Sequence, residues 1–164
     1  MRPVKHTLSV VVQNTPGVLA RLAGLISRRG YNIDSFVAAE TADPAFYRLT
    51  LAVDSEYRSL SEIMSQLDKL VNVVGVVDLD TLEVAELEMA LVKLRTDAAS
   101  RAEAIDIARR FGAKILYSGD DVLILGMSGV PDELTDFLES LKPFTAIESM
   151  RTGRMVLSRE GRPT

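Results

Sequence analysis

The sequence predicts an α+β protein built from two βαββαβ units in tandem. Two observations carry this expectation. Apolar residues alternate with period two in some stretches, as at Tyr47, Leu49, Leu51 and Val53, and fall at helical spacing in others, as at Leu60, Ile63, Met64, Leu67 and Leu70. The order strand, helix, strand, strand, helix, strand runs once to about Asp80 and then again to Met150. At 164 residues, with 47% hydrophobic and 26% charged, the chain suits one domain or two small ones. Aromatics make up 5% and Trp is absent, so the core must be aliphatic.

Each element has a local reason. Ser9–Gln13, preceded by Leu8, is β-branched and apolar, a partly buried strand. It ends in Asn14-Thr15-Pro16-Gly17, after which Val18, Leu19, Leu22, Leu25 and Ile26 share one helix face while Arg21, Arg28 and Arg29 lie off it. Pro16 suits the first helical turn and Gly30 the left-handed stop. Strands follow at Ile33–Glu40 and Phe46–Val53, around a turn at Thr41–Ala45 that contains Asp43-Pro44. Ser59-Leu60-Ser61-Glu62 has the form of a capping box for a second helix, and Val73–Leu79 closes the unit as a strand.

The second unit repeats the order. Leu87–Arg95 is a strand, and Ser100-Arg101-Ala102-Glu103 is a capping-box pattern for a helix that ends at Phe111-Gly112. Lys114–Tyr117 and Val122–Met127 are strands around Gly119-Asp120-Asp121. Pro131 opens a helix with Leu134, Phe137, Leu138 and Leu141 on one face, and Pro143 stops it. Phe144–Met150 is a strand, and Arg151–Arg154 turns into a short extra strand, Met155–Ser158. Two such units indicate two ferredoxin-like domains, residues 1–82 and 83–164, each a four-stranded antiparallel sheet with two helices on one face. The other face is then solvated, used for binding, or buried against a second sheet, and self-association is expected.

Composition excludes several functions. With no Cys, the chain has no disulfide, thiolate metal site or cysteine nucleophile, and a reducing cytoplasm is the expected setting. His6 is the single histidine, so a multi-histidine metal site is impossible. A net charge of −4 gives no global field for nucleic acid or an anionic membrane. An RNA-binding sheet of this topology would stack bases on first- and third-strand aromatics; the first strand has none, and Phe46 and Tyr47 are neighbours that point to opposite faces. The start of the chain lacks a signal peptide's apolar stretch, and no apolar run nears the roughly 20 residues of a membrane span. A soluble, unprocessed protein is expected.

Catalytic motifs are missing: there is no phosphate loop, no His-Glu-x-x-His and no Gly-x-Ser-x-Gly. Glu83, Glu86 and Glu88 read as a solvated charge run between the units, and His6 as a strand-edge residue without an obvious partner. The distinctive local feature is Asn14-Thr15-Pro16-Gly17-Val18-Leu19. A helix N-terminus offers unpartnered N–H groups and partial positive charge that suit a small carboxylate. Gly17 has no side chain to keep a ligand off them, and Asn14 supplies a donor and an acceptor. The spacing equally fits an ordinary turn capped by Thr15 or Asn14. Asn32 fits a turn or C-cap, and Gly24, costly inside a helix by about 1 kcal/mol, fits close helix–sheet packing.

These residues carry a family likeness. Asn14-x-Pro16-Gly17-Val18-Leu19-x-Arg21, followed by Arg29-Gly30-Tyr31-Asn32-Ile33-Asp34-Ser35, resembles the N-terminal ACT domain of the small, regulatory subunit of acetolactate synthase (acetohydroxyacid synthase). The resemblance continues through Gln66-Leu67-x-Lys69-Leu70-Val71-x-Val73, Glu88-Met89-x-Leu91-Val92-Lys93, Arg151-Thr152-Gly153 and Leu157-Ser158-Arg159, in order along nearly the whole chain.

The resemblance implies a subunit that is not the catalyst and holds no cofactor of its own. Thiamine diphosphate, magnesium and FAD belong to the large catalytic subunit, which condenses two pyruvates, or pyruvate with 2-oxobutyrate. The small subunit raises that activity and confers feedback inhibition by branched-chain amino acids, usually valine. It further implies homodimers paired through ACT domains with the effector at their interface. Asn14, Gly17, Val18 and Leu19 would hold the effector from one subunit, and Asn32 and Ile33 from the other. No catalytic or metal-binding residue is expected. In the second unit the matching turn, Thr96-Asp97-Ala98-Ala99-Ser100, lacks Pro and Gly, and Asp97 would repel a carboxylate. A free-standing ACT-type amino-acid sensor, or a small enzyme with a carboxylate on the open sheet face, are the rival readings.

Overall fold

The structure, a computed structural model, describes residues 5–54 and 60–161. These form two compact units: the described residues up to Ala85 with those from Met155 onward, and Glu86–Arg154.

The first unit runs β1 (Lys5–Gln13), α1 (Val18–Arg28), β2 (Asn32–Glu40), β3 (Phe46–Asp54), α2 (Leu60–Asp68) and β4 (Val73–Asp78). Its sheet has the order β2-β3-β1-β4, with β1 antiparallel to both neighbours and Val10 opposite Leu49 and Val76. Alternation sends Leu8, Val10 and Val12, with Leu49, Leu51 and Val53, to one face. Leu22 and Ile26 of α1 and Ile63 and Leu67 of α2 pack on that face. Each fully buried aliphatic side chain contributes about 1.5–3 kcal/mol relative to exposure. On the opposite face Thr7, Ser9, Thr50 and Ala52 are also buried, so this part of the face is not solvated.

Strand β1 begins four residues before Ser9, because Lys5, His6 and Thr7 find partners in Asp54, Val53 and Ala52. Strand β4 stops at Asp78, whose side chain accepts the Asp80 N–H at 3.0 Å and starts a single 3-10 turn, Leu79–Thr81. Ser59, the first residue of the expected capping box, lies outside the described residues; the helix itself is present from Leu60.

The second unit contains α3 (Ala98–Arg110), β6 (Lys114–Ser118), β7 (Val122–Gly129), α4 (Pro131–Ser140) and β8 (Thr145–Arg151), with most of β5 (Val84–Arg95). Its sheet order is β6-β7-β5-β8, and the short β9 (Met155–Ser158) pairs with β5. Ala90, Val92, Leu94, Leu123, Leu125 and Met127 face the helices, where Leu134 and Phe137 are fully buried. Phe111 stacks obliquely on Phe137, with centroids 5.6 Å apart.

Three expectations are corrected here. The capping box of α3 is Asp97 with Ser100, three residues before the expected Ser100–Glu103 pattern, because Asp97 takes the extended N-cap conformation. Glu86 and Glu88 are not a solvated run: β5 reaches back to Val84, Glu88 is buried against Arg151, and Glu86 pairs with Arg154 at 3.1 Å. The tail from Met155 groups with the first unit, where the sequence reading kept it in a domain of residues 83–164. The Arg159 N–H holds it there by donating to the Glu83 carbonyl at 2.9 Å. Among the described residues no helix is long and apolar enough to cross a membrane.

Candidate functional site

The head of α1 is built by a tight turn. The Val18 N–H donates to the Thr15 carbonyl at 3.2 Å, which places Pro16 and Gly17 at the two central positions. Gly17 has φ 81 and ψ 0, the geometry of the third residue of a type II turn, which residues with a Cβ enter only at a cost. Pro16 therefore stands in the turn and not in the helix, and Gly17 is the N-cap. No side chain caps α1, contrary to the reading of Thr15 or Asn14 as caps. The first intrahelical bond is Arg21 N–H to the Gly17 carbonyl at 3.0 Å, which leaves the Leu19 and Ala20 amides at the helix end without an intrahelical acceptor. A Cβ built on Gly17 would meet nothing within 4 Å, so the approach is open.

Asn14 is held elsewhere. Its main-chain N–H donates to the Ala45 carbonyl at 2.7 Å and its Nδ2 to the Pro44 carbonyl at 3.0 Å. Because a carbonyl only accepts, the amide orientation follows, and Oδ1 is the atom that has no hydrogen-bond partner among the described residues. Val18 is buried and Leu19 half-buried on the first core, so both fix the head of the helix to the sheet.

Asn32 and Ile33 lie at the other end of the unit. Asn32 pairs with Asp54 and Gln13 with Phe46, which are opposite ends of β3, roughly 25 Å apart at the usual strand rise. Within one chain the six predicted residues are thus two groups. Asn32 is exposed and its Nδ2 donates to Asp34 Oδ1 at 3.0 Å; Ile33 packs half-buried on the core.

Several residues near the site were not singled out by sequence reasoning. Asn72, in the α2–β4 connection, hydrogen-bonds to both Gln13 and Arg21. Beside it a groove of about 180 Å³ is lined by Val18, Arg21, Leu22, Leu70, Val71 and Val73. A cleft of about 500 Å³ lies at the far end of α1, around Arg29, Tyr31 and Gln66, and none of the six predicted residues lines it. His6 does have a partner: its Nδ1 lies 3.2 Å from Asp80 Oδ2, while Asp80 also accepts the Thr7 N–H. Gly24 is not a close-packing position, since a Cβ there would touch only Arg28 Nη1 at 3.6 Å.

Two ferredoxin-like units, the first with a bare helix head behind a Pro-Gly turn, define an ACT-type protein. Residues 8–75 match the model of the AHAS small subunit-like ACT domain, and residues 87–160 match that of the small subunit of acetolactate synthase. The chain is 38% identical over 159 residues to the acetolactate synthase small subunit of Mycobacterium bovis, covering 97% of this chain and 95% of the relative. It is 35% identical over 163 residues to the probable acetolactate synthase small subunit of Methanothermobacter thermautotrophicus, covering 99% and 97%. The crystal structure of the acetolactate synthase small subunit from Thermotoga maritima superposes with a TM-score of 0.87 at 32% identity, over 97% of this chain and 99% of that one. The chain belongs to the acetolactate synthase small-subunit family.

Proposed function

We propose that this chain is the regulatory subunit of acetolactate synthase: it activates the thiamine-diphosphate-dependent catalytic subunit and makes it sensitive to valine. The observation that carries the effector site is the uncapped head of α1, with the Leu19 and Ala20 amides open above Gly17. A carboxylate placed there meets backbone donors and the positive end of the helix dipole. Asn14 Oδ1, left free by the Nδ2 bond to Pro44, accepts from the ammonium group of the same amino acid. Asn32 and Ile33 complete the pocket from a second copy, which makes the homodimer part of the site.

Chemistry stays with the catalytic subunit, which brings thiamine diphosphate, magnesium and FAD; this chain contributes no catalytic residue and works in the cytoplasm. Valine bridging two protomers favours one arrangement of their sheets and helices, and the catalytic subunit responds to that arrangement. The effector must bind one arrangement better than the other, and a coupling of about 1–3 kcal/mol is typical.

Reconstitution with the catalytic subunit tests the proposal. The wild-type chain should raise acetolactate formation and impose inhibition by valine. Gly17→Asp puts a negative charge where the carboxylate sits, and should abolish inhibition while activation persists. A Gly17→Asp holoenzyme that valine still inhibits fully rules out this site. Failure of the tagged chain to capture or activate the catalytic subunit favours a free-standing amino-acid sensor.

A further inference from the structure

Asn72 sits where three segments of the first unit meet: the end of β1, the first turn of α1 and the α2–β4 connection. Its carbonyl oxygen accepts the Gln13 N–H at 2.8 Å, its Nδ2 donates to Gln13 Oε1 at 3.1 Å, and its Oδ1 accepts from Arg21 Nη1 at 3.0 Å. Gln13 is the residue before the turn that carries Asn14 and Gly17, and Arg21 is the residue whose N–H closes the first bond of α1 on the Gly17 carbonyl. One side chain therefore grips both flanks of the turn, using its donor on one and its acceptor on the other.

We propose that Asn72 is a positioning residue of the effector site: by tying Gln13 to Arg21 it holds the bare amides of the α1 head in the orientation that a carboxylate needs. The inference rests on reading that head as the effector site. The turn is otherwise held locally by the Val18 to Thr15 bond and by the bonds of Asn14 to Ala45 and Pro44. Those fix the β1 side and the crest of the turn. Val18 and Leu19 pack the head of α1 on the core, but among the hydrogen bonds of the described residues only those of the Asn72 side chain span the turn from β1 to the helix, and they also join the α2–β4 connection to the site.

Calorimetric titration of valine into the full-length chain tests this with four variants and Gly17→Asp as the control for the site itself. Asn72→Ala removes the side-chain bonds on both sides and should weaken valine binding about tenfold. Asn72→Asp should stay within about threefold of wild type, because one carboxylate oxygen still accepts from Arg21 and the other accepts from a flipped Gln13 amide. Arg21→Ala should weaken binding as Asn72→Ala does, and the Arg21→Ala/Asn72→Ala double variant should be no weaker than either alone, since one bridge is being cut twice. That non-additivity and the rescue by Asp are not expected of a residue that only stabilises the fold, and the Arg21→Ala arm stands if Asn72→Ala does not fold. Wild-type affinity in Asn72→Ala, or additive losses in the double variant, overturns the role of Asn72 while Gly17→Asp still abolishes binding. If the wild type does not bind valine, or Gly17→Asp binds as wild type does, the site itself is wrong and the positioning role falls with it.

Discussion

Asp97 and Ser100 close the head of α3 on each other: Asp97 Oδ1 accepts the Ser100 N–H at 2.8 Å, and Ser100 Oγ accepts the Asp97 N–H at 2.9 Å. The equivalent place in the first unit, at Gly17, carries no capping side chain. The two units share an element order, yet one helix head is open and the other is filled by a carboxylate of its own. A zwitterionic effector should therefore distinguish them. On titration with valine, backbone amide resonances of Leu19 and Ala20 should shift and those of Ala99 and Ser100 should not. Equal shifts at both heads would contradict the asymmetry.

The same cap makes an acid-limb prediction. The Ser100 hydroxyl, and then its backbone N–H, hold the Asp97 carboxyl below its ordinary 3.8. A carboxyl lowered on folding binds fewer protons in the folded state than in the unfolded one, so its contribution is fully present above pH 3.8 and is lost as pH falls through the lowered folded value. Asp97→Asn keeps an oxygen that can cap but cannot titrate. Urea midpoints measured down the acid limb should fall less steeply in Asp97→Asn than in wild type, with the two curves differing by a constant offset near neutral pH.

How much of this was legible in the sequence follows from range. The stripe Val18, Leu22, Ile26 and the alternation Leu8, Val10, Val12 are local patterns, and the helices and strands they predict are present. Gly30 and Gly112 end their helices with positive φ, as glycine after an apolar stripe suggests. The sequence pattern puts the cap of α3 at Ser100 and not at Asp97, because both residues are good caps. The choice is made by tertiary contacts, where the Thr96 N–H donates to the Asp121 carbonyl at 2.9 Å and Arg101 bonds the Asp120 carbonyl. Glu88 reads as solvated because its partner Arg151 is 63 positions away, and nothing local marks Asn72, whose partner Gln13 is 59 away. No periodicity encodes such pairs. Only the family likeness ties Asn32 and Ile33 to the α1 head, since within one chain they lie at the far end of the sheet.

Two glycines on either side of the first turn of α1 should respond oppositely to alanine. Gly24 has negative φ, lies inside the helix and has ordinary space for a Cβ, so Gly24→Ala should stabilise the chain by about 1 kcal/mol through helix propensity. Gly17 also has open space, but φ is 81, and Gly17→Ala should cost about 1–2 kcal/mol in backbone strain. Denaturant unfolding of the two variants gives the signs directly. A stabilising Gly17→Ala would mean that the turn relaxes away from the geometry described.

Glu88 and Arg151 supply the strongest test of the second unit. Glu88 is only 7% exposed, on β5, and Arg151 at the end of β8 pairs with it while also donating to Thr135 Oγ1 at 3.3 Å on α4. A carboxylate so buried loses most of its hydration, and the guanidinium beside it offsets that loss. Arg151→Ala removes the offset and leaves the charge in place, so it should destabilise the unit by roughly 2–4 kcal/mol, more than its own exposed surface would suggest. Glu88→Gln leaves an exposed cation that water can solvate, and should cost less. The pair Glu88→Gln with Arg151→Met removes both charges while keeping most of the volume, and should recover much of the loss seen in Arg151→Ala. Unfolding free energies for the wild type and these three variants decide the matter. If Arg151→Ala costs no more than Glu88→Gln, burial of the carboxylate is not what makes Arg151 necessary, and its hold on Thr135 and α4 is the contact that matters.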